Sequence, residues 1–167
     1  IHKLIVFWGW DWENNCKTLL YTGIGSNGQC IWGKKIVQTE VDRYNKLIPG
    51  AAYIIRSQYS NMVLEVKDGK DEPGSLITQN HENGKLYQCW RLLDAGNGYF
   101  KLKSMASDSV RVMEVYNSMN TNGTVIALGT NNGYSKNKFK VVSNNNGYYR
   151  MLSKISGDIR CIDLNGF

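Results

Sequence analysis

From about Tyr53 to the end of the chain, apolar and polar positions alternate in short runs cut by turns rich in glycine and asparagine. The runs repeat. Met62-Val-Leu-Glu65-Val returns as Arg111-Val-Met-Glu114-Val and again as Arg160-Cys-Ile-Asp163-Leu, at a spacing of 49 residues. Gly74 recurs as Gly123, Asn83-Gly84 as Asn132-Gly133, and Trp90 as Phe139 at the same spacing. In each copy apolar residues flank one carboxylate, so the two-residue period of a strand turns the acid to the face opposite its neighbours. No apolar pattern at spacings of three and four persists over ten residues, and no helix is predicted.

Each repeat reads as four strands. The first has Tyr53–Ser57, Met62–Val66, Ser75–Gln79 and Gln88–Leu93; the second has Phe100–Ser104, Val110–Tyr116, Thr124–Leu128 and Lys138–Val142. The third supplies Tyr149–Ser153 and Arg160–Leu164, two strands short by the period. Three four-stranded repeats would close a pseudo-symmetric barrel with no free sheet edge. Two further strands are therefore expected, from beyond Phe167, from residues 1–22 as a circular permutation, or from a partner chain.

The first 50 residues lie outside this repeat. Lys3–Trp10, Lys17–Thr22 and Gln29–Val37 read as strands. The turn Gly23–Gly28 matches the G-x-G-x-x-G of dinucleotide sites, but a strand follows it where a helix is required, so it reads as a hairpin turn with Cys30 opposite about Tyr21. A polar stretch, 38–50, ends in Pro49-Gly50 and marks the boundary. The expected organisation is a β-strand segment over 1–50, either the end of a preceding domain or the completing strands, and a repeat domain over 51–167.

Composition narrows the function. At 167 residues the chain can bury a core without disulfides. Its net charge of +6 is scattered, with Lys34-Lys35 the densest pair. It therefore lacks the clustered, aromatic-interleaved stripe of a nucleic-acid surface and reads as solubilising charge with attraction for acidic glycans. No apolar run is long enough to insert in a membrane. Cys16, Cys30, Cys89 and Cys161 form no C-x-x-C pair and leave one or two disulfides open. His2 and His81 are isolated, so neither a metal nor a cofactor is expected, and no Ser-His-Asp set or nucleophile elbow marks a catalytic residue. The start Ile1-His2-Lys3 and the short apolar stretch Leu4–Phe7 do not form a signal peptide, which suggests a processed product or an excised part of a longer protein. Asn122-Gly-Thr124 is a glycosylation sequon in a polar turn.

The ordered landmarks of residues 51–167 resemble the ricin-type lectin repeat. That pattern has an acid at the end of the second strand, then Gly, an Ile- or Val-led strand, an Asn-Gly turn and Gln-x-Trp. The first repeat matches with Leu64-Glu65-Val66, Gly74, Ile77, Asn83-Gly84 and Gln88-Cys89-Trp90. The second matches with Met113-Glu114-Val115, Gly123, Ile126, Asn132-Gly133 and Asn137-Lys138-Phe139, and the third with Ile162-Asp163-Leu164-Asn165-Gly166. The resemblance implies an all-β fold, a β-trefoil with its third repeat incomplete. It also implies a non-catalytic, secreted carbohydrate-binding module that targets a larger toxin or hydrolase to galactose-type or mucin-type glycans. Other domains of the parent protein, or a partner chain, are the further partners expected.

In such a site a carboxylate accepts hydrogen bonds from two adjacent sugar hydroxyls, an aromatic ring covers the sugar's apolar face, and an amide serves a third hydroxyl. Each site is weak, and several together raise avidity. Carried over by position, the acids are Glu65, Glu114 and Asp163, and the amides are Asn83, Asn132 and Gln88. The stacking positions hold Asn80 and Gly129, neither aromatic, with His81, Tyr87 and Tyr134 as neighbouring substitutes. Asp163 has the length the family prefers and is followed by Asn165, so the third repeat ranks first, with Trp8 as its stacking residue if the chain is permuted.

Plainer readings stand beside these. Trp90 and Phe139 are core residues, and Gln88 mainly holds its turn. Glu65 and Glu114 are either sugar acceptors or solvated strand residues. Trp8, Trp10 and Trp12 share a strand face, as a sugar platform or as packing for a neighbouring domain. The alternative function is a trefoil whose sugar sites have degenerated and which serves as a protein-interaction or structural module.

Overall fold

The computed structural model describes residues 21–24, 30–32, 47–106, 108–144 and 148–163. They fall in two compact units, one of Lys3–Leu47 and one that holds Ile48–Phe167. In the smaller unit Tyr21–Ile24 (β1) and Cys30–Trp32 (β2) pair antiparallel, so the glycine-rich segment joins two strands. Cys30 lies opposite Ile24, and Tyr21 lies opposite Trp32. The expected Cys30–Tyr21 register is thus corrected: pairing runs closer to the turn, with an irregularity between Tyr21 and Gly23. The strand expected over Lys3–Trp10, Cys16, and nearly all of the segment proposed to complete the barrel lie outside the described residues.

The larger unit is all-β, with short 3-10 turns and no α-helix among the described residues. Its strands are Ala52–Tyr53 (β3), Val63–Val66 (β4), Ile77–Asn80 (β5), Trp90–Asp94 (β6), Tyr99–Ser104 (β7), Arg111–Val115 (β8), Ile126–Thr130 (β9), Phe139–Ser143 (β10) and Tyr149–Ser153 (β11). The first and last strands of the repeats form one wall in the order β11-β10-β7-β6-β3. The middle strands pair as the hairpins β4–β5 and β8–β9. This is the β-trefoil layout, and the 49-residue period survives in the register: Val63 opposite Asn80 in the first hairpin becomes Val112 opposite Gly129 in the second. The third repeat contributes β11 and a bridge from Leu152 to Cys161, a partial strand set.

Two expected strands are shorter than the pattern suggested. The run Tyr53–Ser57 stays in the wall only over Ala52–Tyr53 and then turns to the first hairpin, where Leu64 N–H donates to Ile55 O at 2.8 Å and Arg56 bridges Val63. The segment Arg160–Leu164 is reduced to the bridge at Cys161, and residues from 164 onward lie outside the described set.

The core follows the repeat. Trp90 and Phe139 are 1% and 0% exposed, packed with Val63, Val66, Leu92, Leu102, Val112, Met113 and Leu128. The Trp90 indole N–H donates to Leu64 O at 3.1 Å, which satisfies its one polar atom inside the apolar cluster. After each acid-bearing strand a 3-10 turn reverses the chain, Lys67–Gly69 after β4 and Tyr116–Ser118 after β8. Asp68 (φ 56°) and Asn117 (φ 50°) hold the left-handed position at its centre, a conformation short polar side chains tolerate.

Neighbouring repeats are stitched together. Gly74 N–H donates to Leu128 O at 2.7 Å, and Leu128 N–H donates to Ser75 O at 2.8 Å. Arg111 donates through Nε to Asp71 O at 3.0 Å. Its counterpart Arg160 reaches Asn122 Oδ1 at 3.0 Å and Asn120 Oδ1 at 2.8 Å. Each arginine thus holds the loop of the repeat before its own.

Candidate functional site

In the first repeat, Gln88 organises the turn that leads into the core. Its Oε1 accepts the Asn83 N–H at 2.8 Å, and its Nε2 donates to His81 O at 2.8 Å and to Glu65 Oε2 at 2.9 Å. Asn80 Nδ2 donates to the other carboxylate oxygen, Glu65 Oε1, at 3.1 Å. Asn83 closes its own turn by accepting the Lys85 N–H at 3.0 Å, and it donates to the Tyr87 hydroxyl at 2.8 Å. The Tyr87 ring lies over Gly69, where an added Cβ would come within 2.9 Å of it.

The second repeat has the same frame with different occupants. Glu114 is 5% exposed, accepts from Lys136 Nζ at 3.0 Å on one oxygen and from Asn137 Nδ2 at 3.1 Å on the other. Each carboxylate oxygen has two acceptor positions, so half of the acceptor capacity remains. Gly129 faces this group, and a Cβ there would sit 1.8 Å from Glu114 Oε2. The absent side chain at position 129 leaves the space that the Glu114 carboxylate occupies. An open pocket of about 290 Å³ lies here, with Glu114, Lys136, Asn132, Tyr116 and Gly129 among its lining residues and Pro73-Gly74 supplied by the first repeat. Ligand pockets commonly span ~300–1,000 Å³, so this one suits a single small ring.

Lys101, from β7, braces the pocket's turn by donating to Asn131 Oδ1 at 2.7 Å and Asn132 O at 2.6 Å. Burial, aided by nearby Lys138, holds its ammonium below the usual lysine range. One polar atom beneath the pocket is unsatisfied. Asn137 stands where the first repeat has Gln88, one methylene longer, and Asn137 Oδ1 is buried without a hydrogen-bond partner. Asn137→Gln is expected to restore the reach that Gln88 shows and to raise unfolding free energy by about 1 kcal/mol in urea titrations. An unchanged or lower midpoint would show that the longer amide does not fit.

The structure brings together only part of the expected set. Glu65, Asn83 and Gln88 form one hydrogen-bonded group, with Gln88 tied to its turn and to Glu65. Glu114 and Asn132 line the pocket. Asp163 is exposed at the end of the described chain, and Asn165 and Trp8 lie outside the described residues. The reading of Glu65 and Glu114 as solvated strand residues is corrected, since each is 5% exposed and held by amides or a lysine. Sequence reasoning missed Tyr116, Lys136 and Asn117. Tyr116 is 38% exposed, and the 3-10 turn that follows the acid strand presents it at the pocket. The signal available was the tyrosine two residues after the acid, but the aromatic was sought only near Gly129.

Comparisons with known proteins place this geometry. The family model described as "Ricin-type beta-trefoil lectin domain-like" matches residues 44–129. No curated protein matches the chain. Among solved structures, the chain is similar to a designed three-fold symmetric protein, ThreeFoil, at 26% identity and a TM-score of 0.61, over 64% of this chain and 74% of that one. It is similar at 30% identity and a TM-score of 0.61 to 1,3Gal43A, an exo-β-1,3-galactanase from Clostridium thermocellum, over 66% of this chain but only 23% of the galactanase. The Polyporus squamosus lectin, solved with a human-type influenza-binding epitope, shares the fold at 19% identity and a TM-score of 0.54, over 67% of this chain and 39% of that one.

Proposed function

Because the chain belongs to the ricin-type β-trefoil lectin-domain-like family, we propose that it is a non-catalytic carbohydrate-binding module whose principal sugar site is the pocket of the second repeat. The observation that carries this reading is the buried Glu114 carboxylate, half of its acceptor capacity open, among the residues that line a ring-sized pocket with an exposed tyrosine. In this reading Glu114 accepts from two adjacent sugar hydroxyls and Tyr116 covers the apolar C–H face. The Lys136 ammonium and the Asn132 amide serve a further hydroxyl. Galactose-type and mucin-type sugars are the first to test, because the 30%-identical neighbour is a galactanase. Asp163, with Asn165 and Trp8, is a second candidate site in the third repeat. The wider role we propose is to carry a larger secreted toxin or hydrolase to glycan-bearing surfaces, where several weak contacts add up.

A glycan array followed by calorimetric titration tests the site. Glu114→Gln keeps the shape and removes the charge, so affinity should fall tenfold to a hundredfold, about 1.5–3 kcal/mol, while the fold persists. Asp163→Asn in parallel ranks the two sites: a loss confined to Asp163 would move the principal site to the third repeat. One observation favours the alternative of an interaction or structural module, namely that Glu65 and Glu114 each already receive two side-chain donors of their own chain. Sugar binding that is absent across the array would favour that reading.

A further inference from the structure

We propose that Asn97 is a site of spontaneous covalent modification, the first of the described Asn-Gly pairs to lose its side-chain amide and pass to aspartate and isoaspartate. An asparagine followed by glycine suits this reaction, because glycine has no Cβ to crowd its own nitrogen or to restrict the backbone. Four such pairs lie in the described residues, at Asn83, Asn97, Asn122 and Asn132; those at Asn27, Asn146 and Asn165 lie outside them. At three of the four the amide is held. Asn83 Oδ1 accepts the Lys85 N–H at 3.0 Å, and its Nδ2 donates to the Tyr87 hydroxyl at 2.8 Å. Asn132 Oδ1 accepts the Tyr134 N–H at 3.1 Å. Asn122 Oδ1 accepts from Arg160 Nε at 3.0 Å. Each bond fixes the carbonyl group that the glycine nitrogen must reach. Asn97 is exposed, and neither its side chain nor the Gly98 N–H makes a hydrogen bond among the described residues.

The backbone adds a second reason. Gly96, Asn97 and Gly98 hold φ of 75°, 55° and 77° in the turn between β6 and β7. Asn97 is the one residue of the three for which that conformation carries a steric cost, and the glycine on either side lets it leave. The Gly98 nitrogen, giving its proton to solvent base, then attacks Asn97 Cγ. A Cγ–N bond forms, the Cγ–Nδ2 bond breaks, and ammonia departs with a proton from water, leaving a five-membered succinimide. Water opens the ring at Cγ to give aspartate, or at the main-chain carbonyl to give isoaspartate, whose backbone runs through one extra methylene. The balance is one water taken up, one ammonia released and one negative charge gained. The longer backbone falls in a turn closed by Ala95 N–H to Tyr99 O at 2.9 Å and Tyr99 N–H to Gly96 O at 3.1 Å. Tyr99 in turn donates to Asp158 at 2.9 Å, so the lesion sits next to a tie between the second and third repeats.

The test is timed incubation of the whole chain in mildly alkaline buffer, followed by peptide mapping with fragmentation that separates aspartate from isoaspartate. Asn97 should convert about tenfold faster than Asn83, Asn122 or Asn132, the factor that a retained side-chain hydrogen bond is worth at the other three. Both products should appear at Asn97, and Asn97→Ser should remove them. Arg160→Met frees the Asn122 amide, so conversion at Asn122 should rise toward the Asn97 rate while Asn97 itself is unchanged. In guanidinium chloride, where no fold holds any of the amides, the four rates should converge. A folded protein in which another of the four pairs converts first, or in which all four convert alike, would overturn the proposal. So would an Asn97 lead that persists undiminished in the denaturant, or an Asn122 rate that Arg160→Met leaves unmoved, because either would show that the fold does not set the order.

Discussion

Trp90→Ala is expected to lower the unfolding free energy by about 3–5 kcal/mol, the cost of removing a large aromatic side chain from a packed core. Trp90 is 1% exposed and sits opposite Ser104 in the wall. Its loss would also leave Leu64 O, in the acid-bearing strand β4, without the indole donor at 3.1 Å. Small domains carry only about 5–15 kcal/mol in total, so this loss is a large fraction of the stability. Chemical denaturation followed by intrinsic fluorescence from other aromatic residues, or by circular dichroism, measures the change. A loss below about 1 kcal/mol would mean that the barrel core does not depend on this ring.

Gly129→Ala should cost about 3 kcal/mol and abolish sugar binding by the second repeat, even though the substitution adds one methyl group. The new Cβ would stand 1.8 Å from Glu114 Oε2, 2.1 Å from Cδ and 2.8 Å from Cγ, so the whole end of the acid must leave. Leaving breaks its pair with Lys136 and its hydrogen bond from Asn137 in a buried setting. The expected figure lies where overpacking and the rupture of a buried ion pair overlap. Combining Gly129→Ala with Glu114→Ala should relieve the overlap but leave Lys136 and Asn137 without their acceptor, so it should recover only part of the stability and none of the binding. Denaturation midpoints and titrations on the single and double variants separate the two effects, and equal stability of Gly129→Ala and the unmodified protein would sink this account.

Much of the fold was legible in the sequence because the period is written in residues that the barrel needs. Trp90 and Phe139, Gly74 and Gly123, and Asn83 and Asn132 each recur because the same local geometry recurs. The positive φ of Gly74 (85°) and Gly123 (78°) requires glycine in both copies. Strand ends were less legible, since Ile55 leaves the wall to accept from Leu64 of the first hairpin, a choice of partner that strand periodicity does not encode. The site was only half legible. The acids and amides recur at the 49-residue spacing, but their roles turn on neighbours that sequence spacing does not reveal. Gly129 looked like the loss of a stacking residue; it is the space that a longer acid occupies. Tyr116 looked like a strand end, because a 3-10 turn of three residues leaves no periodic signal. Nothing in the sequence distinguished Asn80 as a partner of Glu65 from Asn80 as a solvated residue.

The stitching between repeats has a consequence for how such a protein can be divided. Pro73 and Gly74 come from one repeat, Glu114 and Tyr116 from the next, and the main-chain bonds between Gly74, Ser75 and Leu128 hold the two halves of the pocket together. The described pocket is therefore not contained in a single copy of the 49-residue unit. A peptide of one repeat would carry only part of this pocket's lining and would lack the main-chain bonds that hold its two sides together. Cutting the chain between the repeats would thus turn an intramolecular pocket into one that depends on the concentration of two fragments.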